Sequence, residues 1–559
     1  MIGSALKRVV NNSGNNRDNR IPDLAAVLLC AFALFRAIET TGDLNWPYDL
    51  DQFREIGMAQ SVLDHRYGTD HLYAGETIWY NPLTSTVVAA LSHVTGVPVD
   101  LIVTRAGAYL NLLGSIAFYI LVAYLFDRWT ALAALVAFLF APIGDAPSWA
   151  AASYSPWLFS QNFAQGIFYL GLVSYAKALR STSWRWYGAT GILLGLTFLG
   201  HTAPAVLLGI IIPVAALTNS IARGKDSRGS WLGANEIRGL IIIFSTAFIV
   251  SLPFTFSILL HYHLRVVNSV PGNWVYPSLV LNQLGSFLRS FFSWFPLVAL
   301  VGLVGTIKLG SHRYRRILLL TWLVISCLAL AVNEIQQAIS PDLHLMFVPA
   351  HHFLFYLQAL EDIFFGVGLV VLARSCADLL PKMFTRMAAQ PKRQHLKYWG
   401  ERMLIGAGIL SFIVLVFSSY RQRFDYTNAR DQAIGFQERK DYLDAYRWIL
   451  ANTRPDDVFL SLSGDLDLSI VGPADRKTLV TCQPEFSNPY LSWKSRSEAA
   501  TKIVDKLAHA APDAREALFA AHVNYIITVP MEQFDRPPFS FLSKEFAKES
   551  VAIYKVSAD

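Results

Sequence analysis

The chain has 559 residues, 53% of them hydrophobic, 13% aromatic and 16% charged, with a net charge of +6 at neutral pH and a mean hydropathy of +0.36. This balance excludes an ordinary soluble globular protein, and several nearly uncharged stretches of about 20 residues have the length that crosses a hydrocarbon core. The four cysteines offer no external pair and no Cys/His ligand spacing, so neither a disulfide scaffold nor a thiolate metal site is expected.

Residues 1–20, rich in Asn, read as a disordered start. The first apolar run, 21–41, follows Lys7, Arg8, Arg17 and Arg20 and lacks a small-residue cleavage site, so it reads as an anchor whose amino-terminal side is cytoplasmic. The next runs, 102–126 and 129–141, are joined by Asp127–Arg128. With that joint inside, residues 42–101 form one large external loop, and the shorter apolar piece 82–96 lies along the membrane surface.

Further runs at 163–179, 187–200, 205–217, 237–260, 291–309, 317–333, 352–373 and 403–419 bring the expected total to about eleven spans. Lys177, Arg180 and Arg185 then fall inside, as do Arg223, Lys225 and Arg228, Lys308 to Arg316, and Lys382 to Arg402. An odd number of spans places 421–559 outside. That tail alternates apolar-faced helices (441–452, 497–509, 514–522) with short strands (458–462, 478–481, 525–529, 551–556), the pattern of a small α/β domain. The expected organisation is therefore a polytopic α-helical membrane module, 21–420, followed by an extracytoplasmic α/β domain, 421–559. No repeat of fixed period is present, which disfavours a repeat-built transporter.

Chemistry concentrates in the first external loop. Tyr48–Asp49–Leu50–Asp51 stands directly after the first span, followed by an amphipathic stretch from Phe53, then Asp64, His65, Asp70, His71 and Glu76 and the aromatic run Trp79–Tyr80–Asn81–Pro82. Asp49 has the place of a helix cap and Asp51 that of a residue complementing the helix dipole. Two acids with an aromatic run exceed what a connector needs.

In the order of these pieces the chain resembles the GT-C superfamily of polyprenyl-phosphate-dependent glycosyltransferases, which includes aminoarabinose transferases, protein mannosyltransferases and oligosaccharyltransferases. The matching segments are Tyr48–Asp49–Leu50–Asp51, Trp79–Tyr80–Asn81–Pro82, the turn Gly195–Leu196–Thr197–Phe198–Leu199–Gly200–His201, and the tail entry from Ala445–Tyr446–Arg447–Trp448 to Asp457–Val458–Phe459. The resemblance implies transfer of a sugar from a polyprenyl-phosphate donor to a lipid, glycan or protein acceptor at the external face of a prokaryotic inner membrane, with inversion at the anomeric carbon. Nucleic acid is not an expected partner.

The same resemblance implies roles. Asp49 or Asp51 is the general base, since an acceptor hydroxyl attacks only as a carboxylate takes its proton. Arg105 and Arg265 are candidates for the leaving phosphate, whereas Arg36 has Glu39 within helical reach. His201 follows the Gly-rich span. His351 and His352 stand at a membrane-entry position where relatives carry an Arg, a departure from the family pattern. Glu76 and Tyr80 complete the candidate substrate contacts. A divalent metal (Mg or Mn) is the one cofactor considered, with Asp145 joining Asp49 or Asp51; an ordinary turn role for Asp145 is the alternative. Glu361–Asp362, inside a predicted span, carry the rival reading of an ion-coupled transporter. A non-catalytic GT-C-like binding or assembly subunit is the third.

Overall fold

A computed structural model describes residues 20–141, 154–223, 232–270, 294–308, 313–339, 348–349, 351–383, 390–418, 430–431, 434–435, 440–535 and 539–557. The expected disordered start, 1–19, and Asp145 lie outside the described residues, as does the side chain of His351.

The membrane module is helical: α1 (Arg20–Thr41), α2 (Leu50–Leu63), α3 (Leu83–Thr95), α4 (Val99–Leu110), α5 (Leu112–Leu125), α6 (Arg128–Phe140), α7 (Ser160–Ser181), α8 (Trp184–Gly200), α9 (Thr202–Arg223), α10 (Ala234–Leu260), α11 (Trp294–Lys308), α12 (Arg313–Ile339), α13 (His351–Met383) and α14 (Gln390–Ser418). The apolar runs expected as spans are helical over their described parts to within a residue at the ends, except that 102–126 is divided between α4 and α5 at Asn111. Six segments among the described residues are long and apolar enough to cross a membrane: α1, α4 with α5, and most of α9, α10, α12 and α13. The protein has the build of a multi-pass membrane protein.

Small residues set how closely these helices pack. α1 buries Ala26, Cys30, Ala33 and Ala37 on one stripe and exposes Val27, Leu28 and Phe35 on the other, the division expected when a helix faces lipid on one side and protein on the other. α6 is buried along its whole length from Thr130 to Phe140 and stands at the bundle centre. Its start is fixed by Asp127, whose Oδ1 accepts from the Trp129 and Thr130 amides at 3.1 and 2.9 Å. Arg374 then ties the Asp127 carboxylate to Glu401 of α14.

The chain after α14 forms α15 (Lys440–Asn452), β1 (Val458–Ser461), β2 (Lys477–Thr478), α16 (Trp493–Ala508), α17 (Ala514–Ala520), β3 (Tyr525–Thr528), β4 (Leu542–Ala547) and β5 (Ala552–Val556). The sheet order is β2-β1-β3-β5-β4; β2, β1 and β3 run parallel, and β5 and β4 are antiparallel. The four expected strands are present, although β2 is a two-residue piece beginning one residue early. β4 was absent from the sequence expectation because it is an edge strand with mostly exposed side chains, which show no buried-face alternation.

This module shares its core with the first loop. Trp46, Phe53, Ile56, Val88 and Leu158 pack in one cluster with Tyr446, Ile449, Phe459, Ile470 and Ile553, and the Trp46 ring lies 5.6 Å from Phe53 and 5.0 Å from Tyr446. A polar seam runs beside it. The Thr478 amide donates to the Leu72 carbonyl at 2.7 Å, and Lys477 Nζ donates to the Asp70 carbonyl at 2.6 Å. Asn488 donates to the Asp70 carboxylate at 2.9 Å, and Arg66 pairs with buried Asp475.

At the closest approach of α2 to this module there is no room for a side chain: a Cβ on Gly57 would stand 2.2 Å from the Gly472 carbonyl oxygen. Gly57→Ala is therefore expected to destabilise the protein by about 1–3 kcal/mol, as overpacking does. Limited proteolysis should show faster cleavage of the tail module. Gly188→Ala, where a Cβ meets nothing within 4 Å, is the control and should leave the cleavage rate unchanged.

Candidate active site

The site begins where α1 ends and the chain turns into α2. Arg105 of α4 holds this crossing, donating from Nε to the Leu44 carbonyl at 2.8 Å and from Nη2 to Asn45 Oδ1 at 3.0 Å. Tyr48 is buried edge-on against Trp157, 4.9 Å between centroids.

Asp49 caps α2. Its backbone is extended and its Oδ1 accepts from the Asp51 amide at 2.9 Å, so the cap read from the sequence is the observed geometry. Capping does not silence the acid. Burial, and then the negative charge of Asp51, push the Asp49 carboxyl well above the usual carboxylate range; the hydrogen bond to the Asp51 amide and the Arg54 charge oppose that shift only in part.

Asp51 has its own cation. Arg54, three residues on and 8% exposed, donates from Nη2 to Asp51 Oδ1 at 2.8 Å, and its guanidinium lies 3.5 Å over the Tyr80 ring, a cation–π contact strengthened by burial. Glu55 follows, also buried. Ser160, the first residue of α7, donates to its Oε1 at 2.6 Å. Burial outweighs this bond and the Arg54 charge and raises the Glu55 carboxyl to about 7. Gln52 is fully buried, and among the described residues neither of its amide atoms, nor Arg54 Nε, nor Glu55 Oε2 has a hydrogen-bond partner.

Neither Arg54 nor Glu55 was among the candidates read from the sequence. Their signal was the spacing from Asp51 to Arg54, which on a helix puts acid and base on one face; the same residues also read as an ordinary amphipathic surface.

Arg54 and His71 line a cleft with Leu50 and Leu72 from the first loop and Leu468, Gly472 and Phe486 from the tail module. His71 is buried, and desolvation, reinforced by the Lys477 and Arg54 charges, pushes its imidazole well below its ordinary proton affinity. Neighbouring Asp70 is raised to about 6 by burial, against the bonds from the Leu72 amide and Asn488.

The aromatic run docks on the Gly-His turn. Asn81 donates to the Phe198 carbonyl and accepts from Thr202 Oγ1 at 3.0 Å. His201 Nδ1 accepts the Ala203 amide at 3.3 Å and so helps to open α9. The His201 ring stands 6.5 Å from Tyr80 and 4.7 Å from His352. Thus Asp49, Asp51, Arg54, Tyr80, His201 and His352 form a linked series.

Other candidates stand apart from it. Arg105 serves the loop, Glu76 faces His261 at 3.3 Å, and Arg265 is exposed on the chain after α10; none of the three is hydrogen-bonded or ion-paired to Asp49, Asp51 or Arg54. Arg36 pairs with Glu39, as its spacing suggested. Glu361 and Asp362 lie within α13, each engaged with neighbours, and Asp362 is buried. Among the described residues no group of three or more His, Cys, Asp or Glu is placed to hold a metal ion; Asp145, expected to join Asp49 or Asp51 in holding one, lies outside the described residues.

No family model matches the chain, and no curated protein does. Solved structures do. ArnT from Cupriavidus metallidurans bound to undecaprenyl phosphate is 14% identical, with a TM-score of 0.53 over 95% of this chain and 98% of that one. The same protein in the apo state gives 0.54 at 14% identity, over 95% and 97%. The archaeal oligosaccharyltransferase AglB from Archaeoglobus fulgidus, in complex with an inhibitory peptide and a dolichol-phosphate, is 13% identical with a TM-score of 0.50, over 90% of this chain and 69% of that one. Across nearly its whole length the chain shares the fold of these ArnT structures.

Proposed function

We propose that the protein is a membrane glycosyltransferase that moves a sugar from a polyprenyl-phosphate carrier to an acceptor hydroxyl on the external face of the membrane, with Asp49 as general base. The observation that carries this reading is the unequal pairing of the two loop acids. Arg54 neutralises Asp51, while Asp49 keeps a raised proton affinity with no cation bonded to it. A base with a pKa moved toward the working pH is suited to accepting a proton in the transition state. The likeness to structures solved with undecaprenyl phosphate and dolichol-phosphate supports the class of donor.

In this mechanism Asp49 takes the proton of the acceptor hydroxyl as its oxygen attacks the anomeric carbon. The carrier phosphate leaves from the opposite face, giving inversion in one displacement. Arg54, held in place by Tyr80 and with its Nε unpartnered, faces the charge that develops on the departing phosphate. His201 and His352 extend the polar wall toward the membrane helices. No step is routed through a metal. With basic loops inside, the amino terminus is cytoplasmic and the tail module stands on the far side of a cell inner membrane.

Asp49→Asn is expected to lower kcat by about 10²–10⁴-fold, the usual worth of a positioned base, while retention of the radiolabelled lipid-linked sugar stays at the wild-type level. The assay is purified protein with a panel of polyprenyl-phosphate sugars and acceptors, products being identified by mass spectrometry. Wild-type turnover in Asp49→Asn would remove the proposed base.

The pH profile tests the division of labour. A base works deprotonated, so kcat/KM falls as pH drops through the raised pKa of Asp49. Asp51→Asn deletes the repulsion that helps to raise that pKa and should move the acid limb to lower pH. Arg54→Gln deletes an opposing attraction and should move it to higher pH. Shifts in the same direction would contradict the assignment.

A further inference from the structure

The chain leaving α10 behaves unlike a solvated connector. Directly after Leu260, His263 and Leu264 take left-handed backbone conformations, with φ of 51° and 56°, a region disfavoured for both side chains. The segment is nonetheless pinned at both ends. Tyr262 stacks on Tyr490 of the tail module, 4.5 Å between centroids and 11° between planes, and its hydroxyl donates to the Thr77 carbonyl at 2.7 Å. The Val267 and Asn268 amides donate to the Pro489 carbonyl at 2.9 and 2.8 Å, and Asn268 Nδ2 donates to the Pro484 carbonyl at 3.1 Å.

A segment held this firmly could turn its aliphatic side chains into the protein. It does the reverse: Leu264 is 59% exposed, Val266 44% and Val267 51%, with exposed Arg265 between them. Three outward aliphatic residues with one cation, immediately beyond the end of a membrane-length apolar helix, match the boundary between acyl chains and headgroups. Apolar groups enter there to a depth of about 5–10 Å and cations meet lipid phosphates.

We propose that residues 262–270 are an interfacial strap that inserts Leu264, Val266 and Val267 into the bilayer boundary, with Arg265 among the headgroup phosphates. The strap thereby holds residues 484–490 of the tail module at the membrane surface. Phe486, which walls the cleft beside Arg54, lies in that held segment, so the mouth of the cleft is kept at the level of the lipid headgroups. The lipid contact does not depend on the chemistry assigned to Asp49.

The test uses the full chain in nanodiscs of phosphatidylethanolamine and phosphatidylglycerol. A photoreactive diazirine amino acid at position 264 or 267 should yield phospholipid adducts by mass spectrometry, whereas the same probe at Phe519, an exposed apolar position on α17, should yield none. Equal adduct yields at all three positions, or none at 264 and 267, would overturn the insertion. For the coupling, Leu264→Asp with Val267→Asp should increase amide hydrogen exchange across residues 484–490 relative to wild type. Unchanged exchange there would mean that the tail module is not held by the strap. Both substitutions sit on exposed side chains, and the cross-linking arm needs neither.

Discussion

A buried guanidinium organises the first turn of α2. Arg54 carries its charge into a nearly dry position, where an unpaired ion would cost several kcal/mol, and it is retained because Asp51, the Tyr80 face and nearby Glu55 all stabilise the cation. Each of those contacts constrains something else. The bond to Asp51 gives one loop acid a cation, and the stack on Tyr80 joins Arg54 to the aromatic run that reaches His201. The remaining acid, Asp49, inherits the consequences of both burial and a negative neighbour.

That arrangement needs walls, and no single part of the chain supplies them. Membrane helices provide Ser160 and the Arg105 brace, the first loop provides α2, and the tail provides Leu468, Gly472 and Phe486. The shared apolar cluster around Trp46 means that the tail module cannot lift away without exposing Phe53, Tyr446 and Ile449 to water. At about 1.5–3 kcal/mol for each large side chain buried, such a separation is costly. The tail is therefore a structural wall of the site and not an appended domain.

What could be read from sequence divides along physical lines. Apolar runs and helix caps are local signals: α1, α6 and α10 came within a few residues, and Asp49 at the start of α2 was legible because a cap is a nearest-neighbour property. Parallel strands β1 and β3 were legible as short buried apolar runs, while β4 hid because its side chains face water. Long-range pairings left no trace. Nothing near Arg66 announces Asp475, and nothing near Gly57 announces Gly472, since such contacts join residues some 400 positions apart. Arg54 and Glu55 were passed over for a different reason: an amphipathic helix with i,i+3 charges is the commonest surface pattern, and only burial converts it into a site. Conversely, Arg105 was weighed by its depth in the membrane alone, and depth does not show that its side chain braces Leu44 and Asn45.

The cap and the base were alternatives when Asp49 was weighed alone, yet the observed cap is compatible with the base proposed above. A capping carboxylate accepts amide hydrogen bonds along the helix axis, which lowers its proton affinity; burial and a second acid raise it. Here the raising effects, burial and then the Asp51 charge, exceed the cap bond to the Asp51 amide, which is made by one oxygen. Had Arg54 bridged both acids, each would be held ionised at low proton affinity and neither would be tuned for proton transfer near neutral pH. The Arg54 guanidinium lies over the ring of Tyr80, which belongs to the aromatic run that Asn81 ties to the end of α8 and Thr202. A contact at the membrane helices thus reaches the proton affinity of a loop aspartate through one ring and one guanidinium.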